Sequence, residues 1–356
     1  MPATRTLAWG SLMGLMQDAP AAGPRTAGDP PAAPPPLDRP DVSVCIVNWN
    51  CRELLRKCLA SLYARPQGVS FEVVVVDNAS TDGAADMVAR EFPRAVLVRN
   101  PENLGFSRGN NQAAQLARGR YLFFLNNDTE LRPNTLREFV TFADRNPGVG
   151  MVGPKLRGAD GHCQIAYRTR PTLAALCHRI ALLRWTRLFR RAYYRYRRDT
   201  FEPEGVRVVE ALMGAAVFLP RAVFEDSGRW DEQYRFGGED IDLSTQVGRA
   251  RPLVYVGNVE VVHYGRVSSR KNIGFAASGV AIGYVRYFRK AGASPIALAV
   301  YKTLVTVDAP VQCVGKLVQG AVRYATGRRG KARKSWLAAR GLWHFMRNEL
   351  VRFWKA

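Results

Sequence analysis

Two apolar runs in this chain end in acids. Val73–Val76 leads straight into Asp77 and a polar turn, and Tyr121–Leu125 leads into Asn126, Asn127 and Asp128, followed by Thr129 and Glu130. A buried parallel strand carries such a group to the rim of an open sheet, where α/β proteins bind their ligands. Asp77 has the chemistry to accept the N3–H of a pyrimidine base or a ribose hydroxyl. The plain alternative is an Asp that caps its own turn, although Asn78–Asp82 already supplies capping groups. Asp128 suits Mg2+ or Mn2+, hard cations that take oxygen ligands and share them with substrate phosphates. Asn126 and Glu130 stand close enough in sequence to assist it, and a polar turn is the alternative there too.

Three further groups extend the set. Gly237-Gly238-Glu239-Asp240 places neighbouring acids at a helix start, where the dipole stabilises negative charge. Such a pair can divide its work, one acid orienting an acceptor and the other removing its proton. Asn103–Asn111 (NLGFSRGNN) holds Gly105 and Gly109, which permit close backbone approach at the start of a helix whose N–H groups can face phosphate. An ordinary strand-to-helix turn is the other reading. His263 closes the run Val259–Val262, in the place of a metal ligand or of a satisfied structural histidine. The remaining histidines, 162, 178 and 344, read as structural or surface groups.

Positioning these groups needs alternating strands and helices, and the periodicity supplies them. Strands are predicted at Val42–Asn48, Phe71–Asp77, Ala95–Arg99, Tyr121–Leu125 and Val149–Gly153. Helices are predicted between them at Glu53–Tyr63, Ala84–Glu91, Ser107–Ala117 and Pro133–Arg145. That order implies an α/β fold with a mostly parallel sheet and right-handed crossovers. Beyond Pro154 the pattern loosens. Strand-like pieces follow at Val206–Leu219, a helix at Asp240–Ala250 and a strand at Leu253–Val262, and the chain is mainly helical from Ile282 onward.

Taken in order, IVNWN, VVVDNASTDG, NLGFSRGNN, FLNNDTEL, FGGEDIDL and VVHYG resemble a family 2 glycosyltransferase with the GT-A fold. The flavour is that of the rhamnosyltransferase-like branch that uses dTDP-rhamnose. The resemblance spans roughly Val42 to Gly265. It implies a Rossmann-like, mostly parallel mixed sheet flanked by helices, and inverting transfer from a nucleotide diphospho-sugar donor. It places Val47, Asn48 and Asn50 in the nucleotide-side loop after the first strand, with Asp77 as the base- or ribose-contacting acid. Asn103, Gly105 and Asn110 match the second nucleotide-side loop, and Asn127 joins the same side. Asp128 matches the last acid of the family's Asp-x-Asp metal motif, with Asn126 in place of the first acid. His263 matches a late histidine that completes the metal or diphosphate site. Asp240 matches the catalytic base, with Glu239 beside it.

The charge balance bears on partners. The chain has 356 residues, 52 Lys and Arg against 30 Asp and Glu, and a net charge of +22. Eight arginines fall between Arg179 and Arg198, and residues 281–356 carry fifteen Lys and Arg against Asp308 and Glu349. The basic surface thus belongs to additions around the strand-rich core, and it favours a polyanionic partner. Interleaved Leu, Trp and Arg at Leu173–Arg198 fit the inner membrane surface, with a saccharide or polyprenyl-linked acceptor. The expected location is cytoplasmic, peripheral on the inner face of the cell membrane, with no nucleic-acid partner. The rival readings are a UDP-sugar donor, a basic nucleic-acid-binding protein on an α/β scaffold, and a sugar-binding homologue without turnover.

The expected organisation is a Pro/Ala-rich tail at 1–40 and a catalytic domain at 41–265, divided at 154 into nucleotide and acceptor halves. A basic amphipathic helical extension follows at 266–356. The short apolar run Leu7–Met16 makes a poor signal peptide. No uninterrupted run of 18 apolar residues occurs, so no spanning helix is expected. The six cysteines show no CxxC pair and read as buried reduced thiols.

Overall fold

The computed structural model describes residues 39–197, 201–265 and 273–356. The tail expected at 1–40 therefore lies, apart from Arg39 and Pro40, outside the described residues. The first strands are β1 (Val42–Asn48), β2 (Phe71–Asn78), β3 (Val96–Asn100), β4 (Tyr121–Leu125) and β5 (Thr129–Leu131). Between them run α1 (Arg52–Tyr63), α2 (Ala84–Glu91) and α3 (Phe106–Leu116), and α4 (Thr135–Arg145) follows β5. The sequel is β6 (Met151–Arg157), β7 (Cys163–Gln164), β8 (Tyr167–Arg168), α5 (Leu173–Cys177), α6 (Ala181–Trp185) and α7 (Arg190–Arg197). Then come β9 (Val206–Val209), β10 (Ala211–Leu212), β11 (Ala216–Pro220), α8 (Arg221–Asp226), α9 (Glu239–Val247) and β12 (Leu253–His263). The C-terminal helices are α10 (Ile273–Lys290), α11 (Pro295–Ala325), α12 (Arg329–His344) and α13 (Leu350–Lys355), with a π-helical turn at Phe345–Glu349.

The main sheet has the order β3-β2-β1-β4-β11-β6-β12-β5, with β7 paired to β6 and β9 to β12. β1 pairs in parallel with β2 and with β4, and β2 in parallel with β3. Covered on both faces, β1, β2 and β4 read as continuous apolar runs rather than alternations. Leu55, Cys58, Leu59 and Leu62 of α1 are buried at helical spacing, which seats that helix on the sheet. β11 breaks the parallel order by pairing antiparallel with β4 and β6. That reversal sets Ala216 opposite Leu125 at the rim.

Several elements differ from the sequence expectation. The fifth expected strand continues through Pro154 to Arg157, because its buried partner β12 runs beside it. A register shift at Val256/Glu260 accommodates the irregular stretch. The turn after Asp128 becomes β5, which exists only because β12 returns to pair with it. Leu173–Arg198 forms three short helices within its described part. Cys163 is exposed and Cys177 half-buried, whereas Cys45, Cys51, Cys58 and Cys313 are buried and free as expected.

The C-terminal helices share a hydrophobic core with α9 and the turn before it. Ile241 of α9 and Tyr234 pack with Ile282, Val285 and Phe288 of α10, and with Phe345 and Phe353. Lys290 at the end of α10 reaches Asp242 of α9 at 2.8 Å and Asp231 at 2.9 Å. The Gly237-Gly238 turn has positive φ at both residues and lies backbone-to-backbone on α10: a Cβ at Gly283 would fall 1.8 Å from the Gly237 carbonyl oxygen. Only glycines allow this approach. α10 thereby fixes the loop that delivers Glu239 and Asp240.

Candidate active site

The rim of the sheet is built from strand ends. Register sets Asn48 of β1 directly opposite Asp77 of β2. Asn48 Nδ2 donates to Asp77 Oδ1 at 2.9 Å, and Asn127 Nδ2 donates to Asn48 Oδ1 at 2.7 Å. The other Asp77 oxygen accepts the Ser80 backbone N–H at 2.9 Å. All three side chains are buried. Asp77 therefore organises its own turn and, through Asn48, locks the end of β1 to the turn after β4. A carboxylate has about four acceptor sites, so capacity for a ligand remains. Asn50 takes positive φ, and its Oδ1 accepts the Thr81 N–H at 2.8 Å, which ties the two loops together.

The Asn103–Asn111 loop is internally braced. Asn103 Oδ1 accepts the Gly105 N–H at 2.9 Å, Asn78 Nδ2 donates to the Gly105 carbonyl at 3.1 Å, and Asn110 Nδ2 donates to the Phe106 carbonyl at 3.1 Å. Gly105 has φ near +90°, and a Cβ there would meet the Arg235 carbonyl oxygen at 2.8 Å. Val47 lies against Gly109, where a Cβ would meet its methyls at 2.9 Å. Val47 thus seats α3 on β1.

Antiparallel pairing of β12 with β5 sets His263 opposite Thr129, one residue from Asp128. His263 Nε2 lies 3.4 Å from Asp128 Oδ1. Gln164 on β7 fixes the ring: its Nε2 donates to the His263 carbonyl at 2.7 Å, which leaves Oε1 to accept from Nδ1 at 2.8 Å. With Nδ1 as donor, Nε2 faces the Asp128 carboxylate. Glu130 is engaged by the Tyr264 hydroxyl at 2.5 Å and by Arg65 at 3.6 Å. Asn126 presents its backbone N–H to the Ala215 carbonyl at 2.9 Å.

That last bond connects the rim to the acid pair. Gly214, next to Ala215, donates its N–H to Asp240 Oδ2 at 3.4 Å, and a Cβ at Gly214 would stand 3.2 Å from the Asp240 Cβ. Asp240 Oδ1 accepts the Ile241 N–H at 2.9 Å. Asp77, Asp128 and Asp240 therefore lie along one connected stretch of rim. A cavity of about 450 Å³ between Asn111, Trp230, Gln246 and Lys290 shares no residue with it.

Comparison with known proteins decides the class. A family model described as glycosyl transferase family 2 matches residues 43–206. An N-acetylglucosaminyl-diphospho-decaprenol L-rhamnosyltransferase of Mycobacterium tuberculosis is 31% identical over 235 residues, which cover 62% of this chain and 75% of that protein. The chain belongs to glycosyltransferase family 2. The O-antigen biosynthesis protein RfbC of Myxococcus xanthus is 29% identical over 240 residues, covering 65% of this chain and 18% of that protein. A crystal structure of GalNAc-T7 with UDP, GalNAc and Mn2+ shares the fold, GT-A, at a TM-score of 0.52 and 18% identity, over 71% of this chain and 48% of that one.

In this glycosyltransferase, Asp128 and His263 fit a divalent cation. Gln164 occupies one ring nitrogen, so the other faces a carboxylate at a separation too long for a good hydrogen bond. Two such donors side by side suit a positive ion between them. Among the described residues no cluster of three or more His, Cys, Asp and Glu could hold a metal. A cation held by Asp128 and His263 would take its remaining ligands from substrate oxygens and water, as is usual for Mg2+.

The glycosyltransferase's acid pair sits in a partly buried polar network that motif reading missed. Arg168 of β8 is buried and holds Asp240 Oδ2 at 3.3 Å, with its guanidinium over the Tyr196 ring at 5.4 Å. The Tyr196 hydroxyl meets the Tyr284 hydroxyl of α10 at 2.6 Å. Arg168, Gln164 and Gly214 had no recognisable signal, because β7 and β8 are two-residue strands with no periodicity and Gly214 lies in an ordinary small-residue turn.

Glu239 keeps some exposure as a residue, but its Oε2 is sealed and without a partner among the described residues. Burial, and then the neighbouring Asp240 charge, push its carboxyl from 4.5 to about 8. The folded state therefore favours the protonated acid. That contribution is complete below pH 4.5 and is lost as pH rises through about 8. Glu239→Gln cannot ionise, so its thermal midpoint should fall less between pH 5 and pH 9 than the parent's. Parallel pH curves for the two proteins would show that Glu239 carries no such burden.

Proposed function

We propose that this enzyme is an inverting glycosyltransferase that moves rhamnose from dTDP-rhamnose to a saccharide or polyprenyl-diphosphate-linked acceptor, in cell-envelope polysaccharide synthesis at the inner face of the membrane. The observation that carries the chemistry is the continuous rim from Asp77 through Asn48 and Asn127 to Asp128, and through Ala215 and Gly214 to Asp240. The name of the mycobacterial relative supports the sugar and the lipid-linked acceptor, and that of the myxobacterial relative supports polysaccharide synthesis.

In this reading the nucleotide lies at the β1–β2 end, within reach of Asp77, Asn50 and the Asn103–Asn110 loop. Asp128 and His263 would hold Mg2+ or Mn2+ between them. When bound, the cation neutralises charge on the departing nucleoside diphosphate. Asp240 takes the proton of an acceptor hydroxyl as that oxygen attacks the anomeric carbon from the face opposite the leaving group. The new C–O bond forms as the bond to the diphosphate oxygen breaks, and that oxygen leaves with the electron pair. One displacement inverts the anomeric centre. Gly214 N–H and Arg168 hold Asp240 in place.

The test is a thermal-shift panel of nucleotide diphospho-sugars with and without Mg2+ or Mn2+. Selective stabilisation by dTDP-rhamnose with a cation is expected. Selective stabilisation by a UDP-sugar would replace the donor, and indifference to every donor would remove the reading.

A further inference from the structure

α11 presents two opposite faces. Leu298, Tyr301, Ala309, Cys313 and Gly320 are buried against the protein. On the other side Val300, Val307, Val311, Val314, Val318 and Val322 are all exposed, as is Ile296 near the helix start at 77%. At 100° per residue these seven positions fall within an arc of about 80°, along roughly 40 Å of helix. The helix's charges, Lys302, Asp308, Lys316 and Arg323, all lie outside that arc. Three are tied to the protein: Lys302 Nζ to the Trp354 carbonyl at 2.9 Å, Asp308 Oδ1 to the Ala181 N–H at 2.9 Å, and Arg323 to Ser335 at 2.8 Å.

The stripe is not alone. α6 docks beside it through the Ala181–Asp308 bond and through Gln312, which donates to the Arg179 carbonyl at 3.2 Å. α6 contributes exposed Leu182 and Trp185, the latter 82% exposed. Arginines crowd the same segment, at 184, 187, 190 and 191, and α12 begins with Arg329, Lys331, Arg333 and Lys334. Although no spanning helix was expected, α11 is long and apolar enough to cross a membrane by length and composition, since mean hydropathy tolerates scattered charges that break an uninterrupted run. One whole side of it is nonetheless covered by protein.

We propose that the exposed face of α11, with Leu182 and Trp185 beside it, seats this enzyme on an anionic lipid bilayer, α11 lying along the headgroup boundary. A charge-free valine stripe bordered by arginine and lysine is complementary to acyl chains beneath acidic headgroups. An exposed tryptophan next to it suits the interfacial belt. A second copy of the chain is disfavoured, because apposing two such faces also apposes two strongly basic borders. Nucleic acid is disfavoured, because the stripe offers neither hydrogen bonds nor stacking groups. The proposal names the surface on which the membrane reading above depends.

The experiment is flotation of the full chain with vesicles of phosphatidylcholine alone or mixed with phosphatidylglycerol. Val311→Asp/Val318→Asp is compared with the parent, and quenching of tryptophan by brominated lipid with Trp185→Phe. The expected result is binding that requires the anionic lipid, falls by ~10-fold or more in the double variant, and shows quenching that Trp185→Phe reduces. Thermal shift by nucleotide donor should be unchanged in both variants, since neither touches the rim. Undiminished vesicle binding by the double variant would overturn the proposal. So would indifference of the parent to vesicles, tighter binding to DNA than to vesicles, or a parent dimer that the double variant converts to monomer. Carbonate-resistant insertion would replace a surface with a spanning helix. Vesicle binding without any donor shift would instead sink the glycosyltransferase reading and leave the docking surface intact.

Discussion

Asp240→Asn is expected to lose most sugar transfer while still binding donor. A positioned base typically contributes ~10²–10⁴-fold, so a fall in kcat of that order is the prediction. Asn is isosteric, and its carbonyl oxygen can still accept from the Gly214 N–H and from Arg168, so the loop keeps its place. The end of the rim proposed for the donor is held by Asp77, Asn48 and Asn127, none of which touches Asp240. Thermal stabilisation by nucleotide should therefore survive. Product formation from labelled donor, measured beside donor-induced thermal shift, checks both halves. Turnover close to that of the parent would remove Asp240 from the role of base.

Arg168→Met should cost stability and activity together. Arg168 and Asp240 are side chains only 8% and 12% exposed, and a buried pair broken on one side strands the remaining charge. Such losses run to about 3–5 kcal/mol, enough to lower the thermal midpoint of a protein this size by several degrees. kcat should fall with it, because Asp240 loses the group that orients it. Arg168→Lys keeps a charge but not the planar fork over Tyr196, and should fall between parent and Met variant. The double variant Arg168→Met/Asp240→Asn should be less destabilised than the two single losses added together, which a double-mutant cycle would read as coupling. An Arg168→Met enzyme with the parent's thermal midpoint and kcat would show that the contact is incidental.

The helices and strands that carry the rim were legible locally. Val73–Val76 before Asp77 and Tyr121–Leu125 before Asp128 are buried on both faces of a parallel sheet, so continuous apolar runs marked them. Leu55, Cys58, Leu59 and Leu62 marked α1 in the same way. Elements that depend on a distant partner were not legible. β5 pairs with a strand some 130 positions later, and β6 continues past Pro154 only because β12 lies beside it.

The family, the ends of the strands and the acids placed there follow from the order of motifs and the periodicity of burial, which are written along the chain. What holds those acids came from packing across the fold. It brought Gln164 to His263, Gly214 and Arg168 to Asp240, and the glycines of α10 under the Gly237-Gly238 turn. It also turned the charges of α11 away from its valine stripe. These are contacts between residues mostly far apart along the chain. Their partners are set by packing and charge pairing across the fold, which leave no local pattern to read.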